Sequence, residues 1–236
     1  MKPVLLIAVN FVREQRWPIL VLMLWVLLLA FLGLATDMHR QREDLLFIFK
    51  QVAIYVVVFS IFFGGSAIYN ERKSRRILAV LAKDVARREY LSGLVIGVTI
   101  ACGIYGFTLG LTGSWTIGQI GFRVSEVWYM IACLTAASML AGTVALMFST
   151  FLNPFFAAGA TAVVLGAPVI AAHVLSADWG YVIPVWELTS RVMKSSFNSP
   201  ESFSWSLIAL ALGEIFAFWA LSAWIFSRVD IAVAVE

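Results

Sequence analysis

VWYMIACLTAASMLAGTVALMFSTFLNPFFAAGATAVVLGAPVIAAHVLSA, residues 127–177, holds no Asp, Glu, Lys or Arg. About 20 apolar residues in a helix cross the hydrocarbon core of a membrane, so an uncharged run of roughly 50 is enough for two crossings and too long for one. Asn153-Pro154 is the natural break, because proline and the residue before it resist helix continuation. The run therefore reads as two spans, 127–152 and 155–176.

Composition extends this reading to the whole chain. Of 236 residues, 61% are hydrophobic and only 13% charged, and the mean hydropathy is +0.91. Soluble domains run at about 25% charged, so too few polar side chains remain here to coat a water-soluble body. An aromatic content of 14% excludes disorder. The class is all-α, a polytopic helical membrane protein forming a single transmembrane domain over residues 1–236.

Four more spans follow by the same length argument. They are 17–36, 47–69, 90–112 and 205–226, which makes six. Pro18 falls in the first turn of the first span, where a missing N–H costs little. Ahead of it, residues 1–16 mix an apolar run with Lys2, Arg13, Glu14 and Arg16. No small-residue cleavage site follows, so this segment reads as an interfacial helix lying on the membrane rather than a signal peptide. Lys50 snorkels from the first turn of span two. Gly113 to Phe122 is an uncharged loop placed to dip into the bilayer.

An even number of spans puts both termini on one side, and the cations choose the side. With the N-terminus inside, the inner segments carry Lys2, Arg13, Arg16, Arg72, Lys73, Arg75, Arg76, Lys83, Arg87, Arg88 and Arg228, against Arg40, Arg42, Arg123, Arg191 and Lys194 outside. Both termini are thus expected in the cytoplasm, in a multi-pass plasma membrane. The cations gather at membrane flanks, which argues against nucleic acid as a partner.

The charge is densest in NERKSRRILAVLAKDVARRE, residues 70–89, with seven cations against Glu71, Asp84 and Glu89. Ile77, Leu78, Val80 and Leu81 recur at helical spacing, so residues 75–82 suit a short amphipathic helix with Ser74 placed to cap it. Asp84 is placed to cap a second helix that starts near Val85 and runs into span three. A basic segment of this kind anchors to anionic lipid. An apolar ridge rimmed by arginines also suits a docking helix for a cytoplasmic partner.

This loop resembles that of ABC-2-type transporter permeases, the membrane subunits that pair with an ATP-binding-cassette ATPase. There the loop after span two runs Glu-Arg, a Gly-Thr-Leu-like start, an aliphatic helix, Pro-x-Ser-Arg and a short approach to span three. Glu71-Arg72 matches the opening, Ile77, Leu78 and Leu81 the ridge, and Arg87 with Tyr90-Leu91-Ser92-Gly93 the approach. Arg75-Arg76 replaces Gly-Thr, Asp84 stands at the usual Pro, and Leu94 stands where Lys often follows Gly93.

The resemblance implies a dimer of two permease copies, identical or close paralogues. Each docks an ATPase subunit through a coupling helix in this loop, and ATP hydrolysis drives export or flipping of a substrate. ATP and Mg then belong to the partner ATPase. The chain has no G-x-x-x-x-G-K-[ST] with which to cradle phosphates, and is expected to be neither an enzyme nor a cofactor binder. Spans this poor in polar groups favour an amphipathic or lipid-like cargo, with membrane lipid a further partner. The alternative is a non-transporting membrane subunit that anchors an ATPase and relays force to an extracytoplasmic protein.

Other polar groups are few. Glu214 lies deep in span six, where an ionised carboxylate costs at least ~2.5–3.5 kcal/mol, so it should face protein or water. It either lines a path for a cationic substrate or makes a structural hydrogen bond. Between spans five and six, Pro184 precedes VWELTSRVMK, a short helix or an interfacial loop at the outer surface. Pro184, Trp186 and Arg191 weakly resemble the outer interfacial helix of the same permeases. Cys102 and Cys133 lack metal or disulfide spacing. His173 and Ser66 fall at opposite ends of their spans, too far apart to share a proton, and no HExxH is present. Small residues at Gly93/Gly97, Cys102/Gly106/Gly110 and Ala158/Ala162/Gly166 allow close helix contacts. Gly64-Gly65-Ser66 reads as a loosened stretch of span two.

Overall fold

The structure, a computed structural model, describes residues 2–35, 42–73, 85–118, 124–175, 182–194 and 205–228. Among these residues it is all-helical: α1 (Lys2–Glu14), α2 (Arg16–Ala35), α3 (Arg42–Lys73), α4 (Arg87–Gly118), α5 (Val124–Ser149), α6 (Pro154–Leu175), α7 (Val185–Lys194) and α8 (Ser206–Arg228). Among the described residues, five helices are long and apolar enough to cross a membrane. A sixth crossing results if α1 and α2, bent by 60° at their junction, count as one. Helices α3 and α4 run well past the spans expected at 47–69 and 90–112. Residues 113–118, read from sequence as loop, continue α4.

Helix α5 is the centre of the bundle. Small residues at Ala137, Ala141, Gly142 and Ala145 let its neighbours approach closely, and most of its length is buried. Against α3 the contact is backbone to backbone: a Cβ on Gly64 would overlap the carbonyl oxygen of Gly142. Gly64 is thus a packing notch, and α3 stays helical through Gly65 and Ser66 rather than loosening there. Apolar lipid gives helices little reason to associate through hydrophobicity alone, so close approach of this kind carries the packing.

Helix α4 presents a second row of notches. A Cβ on Gly93 would lie 2.7 Å from Ile7, and one on Gly97 2.7 Å from Phe11, which seats α1 on α4. Further along, Gly106 faces Thr135 and Gly110 receives the Trp128 ring, both on α5. The third small-residue row behaves differently, since a Cβ on Gly166 of α6 would meet nothing within 4 Å.

Several hydroxyls inside this apolar body are satisfied within their own helices. Thr108 donates to Ile104 O at 2.9 Å, Ser138 to Leu134 O at 2.8 Å, Thr143 to Met139 O at 2.8 Å and Thr161 to Ala157 O at 2.7 Å. Without water, such internal bonds are the available partners. The break in the long uncharged run falls at the dipeptide that the sequence points to. Helix α5 ends at Ser149, Asn153 Oδ1 caps the next helix by accepting from Phe156 N at 3.1 Å, and Pro154 takes the first helical position.

Large apolar side chains cover the outside of α2, α6 and α8, among them Leu24, Phe31, Phe155, Val163, Phe216 and Trp224. Exposed apolar area on this scale exceeds that of soluble monomers. With the helix lengths, it suits a multi-pass membrane protein.

Candidate functional site

The polar side chains gather at one end of the bundle, where α3, α5 and α8 finish and α4 begins. Residues 74–84 lie outside the described residues, and with them Arg75, Arg76, Ile77, Leu78 and Leu81, as well as the caps Ser74 and Asp84. Flanking that segment, Glu71 and Arg72 sit in the last turn of α3, and Arg87 opens α4.

Each flank holds the C-terminus of another helix. Arg72 Nη2 donates to Thr150 O at 2.7 Å, just past the end of α5. Arg87 Nη1 donates to Phe226 O at 2.9 Å and Ser227 O at 3.3 Å in the last turn of α8. The final carbonyls of a helix have no partner within it and carry the negative end of its dipole, so a guanidinium is well matched to them. Arg87 also lies over the Phe226 ring, 5.8 Å from its centroid.

The flanks also meet each other. Glu71 is almost fully buried, and the Tyr90 side chain lies against it. The Tyr90 ring stacks on Phe226 at 6.3 Å with a 20° interplanar angle. One turn on, Trp219 Nε1 donates to Ser92 Oγ at 3.1 Å, and Ser92 Oγ in turn donates to Arg88 O at 2.7 Å. Helix α4 starts at Arg87, later than the position near Val85 read from sequence. The Glu89 carboxylate accepts from Ala86 N at 3.3 Å, closing one half of a capping box.

Sequence reasoning named Glu71, Arg72 and Arg87 but not the receivers Thr150 and Phe226. Those offer backbone carbonyls, which leave no mark on residue type. The arginine-rich flanks were the only signal available.

At the far end, α7 follows Pro184 and lays Val185, Leu188 and Val192 against the bundle, all buried, while Trp186 on its other face is half exposed. Arg191 Nη1 donates to the Tyr129 hydroxyl of α5 at 3.2 Å, and Arg191 Nε lies 3.9 Å from Glu187 Oε1 one turn back. The Tyr129 ring meets Trp205 edge-on at 5.5 Å. A cleft of about 530 Å³ opens between α3, α6 and α7, lined by Ile54, Val58, Leu165, Gly166, Ile170 and Trp186 among other, mostly apolar, residues.

Glu214 lies on α8, and its Oε2 is buried without a hydrogen-bond partner among the described residues. Cys102 and Cys133 are free and buried. Among the described residues no three His, Cys, Asp or Glu side chains are grouped as a metal site. No protein-family model matches this chain, and no curated protein matches it in sequence.

Proposed function

We propose that this chain is the membrane subunit of an ATP-binding-cassette transporter of the ABC-2 kind, with six spans, both termini in the cytoplasm, and residues 74–84 as the docking element for a separate ATPase. The observation that carries the reading is the pair of arginine clamps on either side of that segment. A partner that pulls or tilts residues 74–84 acts on Arg72 and Arg87, and through them on the ends of α5 and α8. The ends of two bundle helices thereby become the output of one loop. The degenerate Glu71-Arg72 to Gly93 pattern points the same way.

In this reading α1 lies at the cytoplasmic interface, α7 is the outer interfacial helix, and a second copy of the chain completes the transporter. ATP and Mg are held by the ATPase. The apolar cleft beside Trp186 supports an amphipathic or lipid-like cargo over a hydrophilic one.

The test is purification of the tagged chain from its own membrane, with nucleotide hydrolysis measured in the eluate. An ATPase subunit should co-purify, and Ile77→Asp with Leu81→Asp should remove it. Co-purification and turnover unchanged by both substitutions would sink the coupling assignment. Reconstitution of the chain and its ATPase alone then separates a transporter, which moves cargo across the vesicle, from a subunit that only relays force.

A further inference from the structure

Helices α4 and α8 run antiparallel at the charged end of the bundle, and two polar rungs fix their register. Arg87 bonds the Phe226 and Ser227 carbonyls at the end itself, and the bond from Trp219 Nε1 to Ser92 Oγ lies further inward on both helices. From the second rung a groove of about 300 Å³ opens between the two helices. Ser92 and Trp219 stand at its polar end, and Val95, Ile96, Leu212 and Phe216 line it further in. At 1.5 Å per helical residue, Ile96 lies about 6 Å deeper than Ser92, and Leu212 about 10 Å deeper than Trp219. Ile96, Leu212 and Phe216 are all exposed, so the groove faces away from the rest of the bundle.

Cations stand at the polar end of this groove. Arg88 lies four residues before Ser92, on the same face of α4. A long helical side chain leans toward the N-terminus of its helix, here away from the groove and toward the headgroups. Arg88 is exposed and makes no ion pair among the described residues. Arg228 closes α8 with its guanidinium over the Trp224 ring, 4.2 Å from the centroid, and a tryptophan beside a cation marks headgroup depth. Glu89 is the acid in the first turn of α4, and it is outnumbered by Arg87, Arg88 and Arg228. From the end of the bundle inward, helix register therefore gives cation, then the Ser92–Trp219 pair, then an apolar track. A phospholipid in a leaflet presents phosphate, glycerol backbone and acyl chain in the same order.

We infer that the α4–α8 groove seats an anionic phospholipid of the leaflet at that end of the bundle, its phosphate against Arg88 and one acyl chain along Val95, Ile96, Leu212 and Phe216. A headgroup of net negative charge is drawn into this positive field. A zwitterionic headgroup brings an ammonium into the same field, which offsets the gain. The inference rests on residence in a membrane and stands independently of the ATPase reading.

The experiment is native mass spectrometry of the full chain, released from detergent with equal amounts of phosphatidylglycerol, phosphatidylethanolamine and phosphatidylcholine of one acyl composition. Phosphatidylglycerol should be retained preferentially, and Arg88→Gln should weaken that retention by about fivefold, the share of one arginine at an anionic membrane surface. Arg88→Lys, which keeps the charge, should retain the lipid. Leu212→Trp, which fills the groove, should lower retention while the protein keeps its helical circular dichroism. Arg16→Gln, at the same end but on α2 and outside the groove, should leave retention unchanged. Equal retention of the three lipids, an equal loss from Arg16→Gln, full retention in Leu212→Trp, or displacement of the lipid by millimolar inorganic phosphate would each overturn the inference.

Discussion

Arg87 Nη1 bonds the carbonyl oxygen of Phe226 at 2.9 Å, across 139 residues of chain. This contact ties the first turn of α4 to the last turn of α8, at a point where α8 has no further helical N–H to offer its own carbonyls. Its energetic weight follows from charge. A hydrogen bond to an ionised donor contributes about 1.5–3 kcal/mol when buried, and less where solvent screens it.

Arg87→Gln should therefore destabilise the protein by about 1–2 kcal/mol in detergent, read as a lower midpoint of thermal unfolding. Arg87→Lys keeps the charge but not the planar fork that reaches two adjacent carbonyls, so it should recover only part of the loss. If Gln and Lys variants unfold at the wild-type midpoint, the clamp has no energetic role.

The crossing of α3 and α5 makes a steric prediction. A methyl group at Gly64 meets the Gly142 carbonyl oxygen, which belongs to backbone and has little freedom to withdraw. Gly64→Ala should cost about 1–3 kcal/mol, the usual penalty of overpacking. Gly103→Ala and Gly159→Ala, where a Cβ would meet nothing within 4 Å, should be neutral or slightly stabilising, because alanine favours helix by up to about 1 kcal/mol. Thermal melts of the three variants side by side separate a close crossing from a general intolerance of glycine replacement.

Much of this architecture is legible in residue type alone. The missing charges of residues 127–177, the Asn153-Pro154 break and the Gly93/Gly97 and Gly106/Gly110 rows all carry their structural meaning in the sequence. The crossing of Gly64 with Gly142 does not, since the two glycines lie on helices whose pairing depends on the whole bundle. The same holds for the clamps: Arg72 and Arg87 are conspicuous, but Thr150 and Phe226 receive them through main-chain oxygens. The Ala158/Ala162/Gly166 row shows the opposite limit. It has the spacing of a contact surface, yet a Cβ on Gly166 would meet nothing within 4 Å among the described residues.

Glu214 gives a prediction about polarity. Its Oε2 is buried and meets no hydrogen-bond partner among the described residues, so the carboxyl group is there at a cost to stability. Glu214→Leu should raise the unfolding midpoint, by an amount corresponding to about 1–3 kcal/mol, as expected when an unsatisfied polar group gives way to an apolar one. Glu214→Gln should give no such gain, because the amide is polar too. A Leu variant that melts below the wild type would show that the carboxyl group is held by a bond that stabilises the fold.

The docking of α7 separates two kinds of force. Arg191 reaches Tyr129 at 3.2 Å and lies 3.9 Å from Glu187, but its ion pair is part exposed on both sides. Such pairs contribute about 0–1 kcal/mol. Leu188 is 0% exposed, between the buried side chains of Val185 and Val192. Truncating a fully buried leucine costs about 2–5 kcal/mol. Arg191→Ala should therefore leave α7 seated, whereas Leu188→Ala should release it. The measurement is hydrogen exchange across residues 185–194, with protection lost in the leucine variant and nearly kept in the arginine variant. The reverse order would mean that the polar link to α5, and not the apolar face, holds this helix to the bundle.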